Sequence, residues 1–201
     1  MGTRAKLLEL AQDQMQRKGY NGFSYADLAA DLGVCKATIH HHFPTKADLG
    51  RTVIAQYRAG FTAALADIDE NHISAQQRLQ SYIMLFRDTL EKKHKICLAV
   101  MLAAGIESLP ESVKEELTLF FQVNDLWLTD TLQAGKTNGE FVFSSSAAEA
   151  AKMIFSALSG AMVVAQSIGD PDRLHTVGDW LATFLSPNQT LEPSSPQQNK
   201  A

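Results

Sequence analysis

The sequence predicts an all-α fold, a three-helix N-terminal unit joined to a larger helical body, and three observations carry that prediction. Apolar residues recur at three- and four-residue spacing almost throughout, with no alternating strand run of persuasive length. Serine or threonine followed three residues later by an acid, the signature of a capped helix start, stands at Ser24, Thr45 and Ser146. Glycines stand where two of those helices must stop, at Gly33 and Gly169.

A first helix is expected from Arg4 to Lys18. The second starts at Ser24, which can accept from the backbone of Asp27, while Phe23 is placed to staple onto Leu28. Leu28 and Leu32 share its buried face, and Gly33 closes it in the left-handed conformation that glycine adopts cheaply. Val34 turns inward, and Cys35 to Phe43 forms a short helix with Ile39 and Phe43 on one apolar face and Lys36, Thr38, His40 and His41 outward. Two short helices joined by a tight turn, the second with a compact polar face, are the layout of a DNA reader. Thr45 and Asp48 open a long helix toward Asp69. Lys46 falls in its first turn, where the helix terminus favours an anion, and a nearby phosphate would reconcile the two.

The body follows in the same manner. Helices are expected from Ser74 to about Lys93 and from Ile96 to Ala104, with a break at Gly105. Ser108, Pro110 and Glu111 open a long helix to about Lys136, Ser146 and Glu149 one to about Ser167, and Asp170-Pro171 a last one ending near Leu185. The tail from Pro187 to Ala201 is polar, contains proline and is expected to be disordered. The expected organisation is therefore a DNA-binding unit over residues 1–51 (motif 24–43), a helical body over 52–186, and a tail over 187–201.

Composition narrows the class. At 201 residues and 45% hydrophobic, the chain can bury a substantial core. Its apolar runs, such as Ile96 to Ile106, are too short to cross a bilayer, and no signal-peptide h-region opens the chain, so a cytoplasmic protein without membrane contact is expected. Seven basic and five acidic residues lie between Met1 and Arg51, a net +2, which leaves −6 for the remainder of a chain whose net charge is −4. That asymmetry suits a DNA-facing end and a body that avoids DNA. Two cysteines make no disulfide framework, and three consecutive histidines diverge by about 100° each on a helix, so no metal and no cofactor are expected. Glycine-rich phosphate loops and the HExxH and GxSxG motifs are missing from the sequence, which argues against an enzyme.

The run Ser24, Leu28, Ala29, Gly33, Val34, Cys35, Ala37, Ile39, His40, His42, Phe43, Thr45, Lys46 and Leu49 resembles the helix-turn-helix of the tetracycline-repressor (TetR) family of bacterial regulators. It departs from the family pattern at Cys35, where serine is usual, at Ala37, where glycine is common, and at His40, where tyrosine usually meets phosphate. The resemblance implies a repressor that leaves its operator when a small molecule binds. It also implies a homodimer through the last two helices, and hence two recognition helices about 34 Å apart on a rough palindrome. Ala150, Ala157, Gly160, Ala161 and Ala165 would let the helix from Ser146 pack closely on a twin.

The residues expected at DNA are Ser24, Tyr25, Cys35, Lys36, Ala37, Thr38, His40, His41, His42 and Lys46. Lys36, Thr38 and His41 are suited to base edges, whereas Ser24, Tyr25 and Lys46 are suited to clamping the backbone. An effector pocket is expected among Phe61, Tyr82, Phe86, Met101, Phe120, Phe121, Trp127, Phe155 and Met162, with Tyr82 and Trp127 offering polar handles. Two alternatives stand beside this reading. One is a thiol switch through Cys97, which follows a run of lysines, or Cys35 at a helix start. The other is a helical scaffold that binds no DNA.

Overall fold

The computed structural model describes residues 2–91 and 94–187. Those residues form nine α-helices: α1 (Thr3–Lys18), α2 (Tyr25–Leu32), α3 (Lys36–His42), α4 (Lys46–Asn71), α5 (Ala75–Glu91), α6 (Leu98–Ala103), α7 (Glu111–Thr137), α8 (Ala147–Ile168) and α9 (Asp172–Phe184). Among the described residues there is no strand, and the all-α fold is that expected. The expected disorder from Pro187 onward falls, beyond that residue, outside the described residues.

The local signals explain the boundaries. All three capping boxes close: Ser24 with Asp27, Thr45 with Asp48, and Ser146 with Glu149. Gly33 ends α2 at φ 66°, where a side chain would be strained. The boundary between α5 and α7 differs from expectation. Cys97 donates its backbone N–H to Met162 Sδ and Lys95 bonds back to Thr89, so residues 94–97 run as a non-helical strap and α6 begins only at Leu98. A 3-10 turn, Ile106–Ser108, then separates α6 from α7, with the Ser108 hydroxyl donating to Gly105 O.

Helices α1 to α3 enclose Leu7, Leu8, Met15, Leu28, Ile39 and Phe43, while α7 and α8 form the spine of the body, packed on α4, α5 and α9. Each fully buried leucine or phenylalanine contributes about 1.5–3 kcal/mol. By length and mean hydropathy (1.4) α8 could cross a membrane. Ala151, Ile154, Leu158, Met162 and Ala165 instead turn into the core, which makes it a spine helix. The row of small residues on α8 needs correcting in the same way. Ala150, Ala161 and Ala165 are buried within the chain, and Gly160 alone of the five is exposed.

The N-terminal helices are anchored to the body. Lys95 Nζ pairs with Asp13 at 2.7 Å, Gln16 Nε2 donates to Ile96 O at 2.8 Å, and Asn21 donates to the Ser108 hydroxyl at 3.0 Å. Partial burial pushes the Asp13 carboxyl up, but its bonds to Lys95 and Arg17 outweigh that and hold it below its ordinary value. At Gly50 the reader's end of α4 packs closely on its neighbours: a Cβ there would come within 2.8 Å of the Tyr20 ring and 3.1 Å of Val113 on α7.

Candidate nucleic-acid interface and ligand cleft

Helix α3 projects Lys36, Ala37, His40 and His41 into solvent while Ile39 and Phe43 anchor it below. Cys35 caps it and is exposed. Its Sγ lies 3.2 Å from the Thr38 hydroxyl, and that bond, with the Thr38 backbone N–H, draws the thiol below its ordinary value. The Thr38 side chain is therefore half-buried and engaged, less free for a base than its position suggested. His40 stands edge-on to the Tyr25 ring, centroids 4.8 Å apart, with Nδ1 3.2 Å from Pro44 O. His42 is half-buried, its ring 5.5 Å from that of His41.

Two expected backbone clamps turn inward and are corrected here. Tyr25 is buried, its hydroxyl 3.0 Å from Phe43 O and 2.6 Å from Thr45 O. Burial and the Asp48 charge push its pKa up to about 12. It is a strut under α3, with its single donor already spent. Lys46 donates to Phe23 O and lies over two rings, Phe23 at 4.2 Å and Tyr20 at 5.0 Å. The tension between a lysine and the start of α4 is thus relieved inside the chain, by a carbonyl and two aromatic faces, and burial lowers the ammonium pKa. The Ser24 hydroxyl is exposed but already donates to Asp27. Arg4 was missed: its guanidinium lies 5.0 Å from the Phe43 ring, adding a cation beside the end of α3. A basic residue in the first turn of α1 was the available signal.

A second feature lies between α1, α4 and α5. It is a cleft of about 660 Å³ whose walls include Gln12, Gln56, Tyr57, Phe61 and Thr89. Behind Tyr57 and Phe61 it adjoins a recess of about 40 Å³ closed by Phe86, Cys97, Phe120 and Met162. Of the residues expected at an effector, Phe61, Phe86, Phe120 and Met162 meet here.

The others do not. Tyr82 is fully buried, gives its hydroxyl to Asn124 and stacks on Trp127 at 5.5 Å. Trp127 donates Nε1 to Asp69 at 2.9 Å, so both polar handles hold helices together. Phe121 and Phe155 pack on one another at 5.8 Å behind the recess. Met101 is on the other face of α6, against Gly19 and Tyr20. Tyr57 was missed, although it precedes Phe61 by one helical turn on the same face. Cys97 is buried, 3.5 Å from the Tyr57 hydroxyl, and burial raises its thiol, which corrects the expectation of a reactive thiolate. Of the lysines thought to activate it, Lys92 and Lys93 lie outside the described residues. Among the described residues no three His, Cys, Asp or Glu side chains are arranged to hold a metal.

Comparison with known proteins agrees with this geometry. Residues 7–52 match the family model of bacterial regulatory proteins of the tetR family. The HTH-type transcriptional regulator CymR of Pseudomonas putida is 27% identical over 88% of this chain and 86% of its own. A TetR-family transcriptional regulator from Agrobacterium tumefaciens superposes with a TM-score of 0.89 at 31% identity, covering 91% of this chain and 97% of that one. A TetR transcriptional regulator from Legionella pneumophila does so at 0.84 and 32%, covering 92% and 98%. A reader helix carried on an anchored three-helix unit, a wholly helical body and full-length likeness at this identity together place the chain in the TetR family of DNA-binding transcriptional regulators.

Proposed function

We propose that the protein is a cytoplasmic repressor that binds a roughly palindromic operator as a homodimer and leaves it when a small molecule enters the α1–α4–α5 cleft. Residues 1–51 act as the DNA-binding unit and 52–186 as the regulatory and dimerisation unit. The observation that carries the reading is the exposed polar face of α3, with Lys36, Ala37, His40 and His41 outward and Tyr25 bracing the helix from beneath. Lys36 and His41 reach base edges or phosphates, and Arg4 adds a phosphate contact at the far end of α3.

Dimerisation is supported by apolar side chains left in solvent on the last two helices. Met153 is 71% exposed, Ile168 59%, Trp180 57% and Phe184 46%, and the last two stack on each other at 4.7 Å. The stacked Trp180–Phe184 pair is an exposed apolar feature that a partner helix can cover. Binding to DNA from just upstream of the coding sequence, followed by anisotropy across a salt series, tests the proposal. Lys36→Ala should weaken binding and lower the salt slope by about 1 if the ammonium meets phosphate. Equal binding of wild type, Lys36→Ala and His41→Ala to every DNA tried would overturn the reader assignment.

One observation favours a second reading, regulation by oxidation. Cys35 is exposed at the start of α3 with its thiol drawn toward thiolate. A mild oxidant should then release wild-type protein from DNA reversibly and leave Cys35→Ser bound. Release of both alike would remove Cys35 from the mechanism.

A further inference from the structure

The cleft and its recess carry enough chemistry to name a ligand class, a step that rests on the ligand-released reading above. Among the described residues that wall the two there is no lysine, arginine or histidine. A carboxylate or phosphate would therefore lose its hydration without a counter-charge from these described walls. The one acid, Asp88, takes part in an interaction of its own and is not a free anion in the wall. The other polar side chains of the cleft are neutral: the amides of Gln12 and Gln56 and the Thr89 hydroxyl, which also borders the recess and donates to Leu85 O at 2.8 Å. What remains inside is flat and apolar, with the Phe61 and Phe120 rings 4.8 Å apart and Tyr57 5.7 Å from Phe120. The recess of about 40 Å³ has room for one methyl-sized group and no ring.

We propose that the cleft takes an uncharged aromatic molecule with a hydroxyl at one end and a small alkyl group at the other, and that Gln12 of α1 is a hydrogen-bonding partner of the hydroxyl. The alkyl group enters the recess beside Cys97 and Met162, and the ring lies against Tyr57 and Phe61. Gln12 belongs to the same helix bundle as the DNA-reading face, so the ligand touches the reader directly. The Gln12 amide donates to Gln16 at 3.2 Å, and Gln16 donates to Ile96 O in the strap that ends at Cys97. The two ends of the ligand therefore meet the two ends of one hydrogen-bonded chain, Gln12–Gln16–Ile96, that fastens α1 to the body. In the ligand-released reading, occupancy would reorient that fastening and so reach α3.

The test uses the full chain and a matched set of probes: 4-methylphenol, 4-methylanisole, toluene, 4-methylbenzoate and 4-methylbenzylamine, with binding read by calorimetry and operator release by anisotropy. The phenol should bind about tenfold tighter than toluene or the anisole, the advantage of one donated hydrogen bond. In Gln12→Leu the preference for phenol over toluene should fall to near unity. Tighter binding of the benzoate or the amine, no binding of the phenol at millimolar concentration, or an anisole as tight as the phenol in wild type would each overturn the class. An unchanged preference in Gln12→Leu would overturn the assignment of Gln12. A phenol that binds in the predicted manner without releasing DNA leaves this proposal standing and sinks the ligand-released reading, and release by the benzoate alone does the reverse.

Discussion

Tyr25 shows how one side chain sets the posture of a recognition helix. Its hydroxyl braces the carbonyls of Phe43 and Thr45, the two residues on either side of the turn that leaves α3, and its ring packs against His40. Tyr25→Phe leaves those carbonyls short of a buried donor, which costs about 1–3 kcal/mol. Chemical denaturation should show that loss, and operator affinity should fall although the Tyr25 side chain is buried. An unchanged denaturation midpoint would mean the strut carries no load. None of this was readable from the residues, because the bond spans 18 to 20 positions and nothing local to Tyr25 announces its partner. Lys46 and Met101 were misplaced for the same reason. Cys97 failed differently: the lysines before it argued for a thiolate, and burial, which no local pattern displays, raises the thiol instead.

At the scale of the element the sequence was far more legible. Caps are local chemistry, three residues from side chain to backbone, so Ser24, Thr45, Ser146, Gly33 and Gly169 mark helix ends wherever the chain folds. The exception is the strap at 94–97, where bonds to α8 and α5 override the helical pattern. Thr45→Ala should destabilise the protein by about 1 kcal/mol in thermal or chemical denaturation. Asp27 and Glu149 sit below their ordinary values, first through the bonds from the Ser24 and Ser146 hydroxyls and then through the backbone N–H of those serines. Groups with lowered folded values stabilise above the ordinary carboxylate range and lose that contribution as pH falls through their folded values. Stability should therefore drop on acidification, and Ser24→Ala with Ser146→Ala should flatten that acid limb. An equally steep limb in the double variant would place the proton-linked groups elsewhere.

The whole molecule is a lever whose fulcrum is shared. α4 leaves the reader and runs along the body against α7, while α5 has the cleft on one side and α9 on the other, with Arg87 donating to His175 O and pairing with Asp179 at 2.6 Å. In the proposed mechanism, movement at the cleft would thus be transmitted toward both the reader and the exposed face of α9. Trp180→Glu should abolish the dimer in sedimentation and weaken operator binding, while the monomer keeps its helical circular dichroism. A variant that still sediments as a dimer would move the interface away from α9.

The contact of Gly50 with Tyr20 and Val113 bears on exchange between relatives. A chimera that joins this chain's first 51 residues to another regulator's body imports Gly50 and Tyr20 but leaves Val113 behind. If the new body carries a bulkier residue there, the graft meets a steric veto far from any DNA contact, and the hybrid fails for want of a fitting hinge while its specificity residues are intact. Transplanted readers should therefore work when the residue opposite Gly50 in the new body is no bulkier than valine.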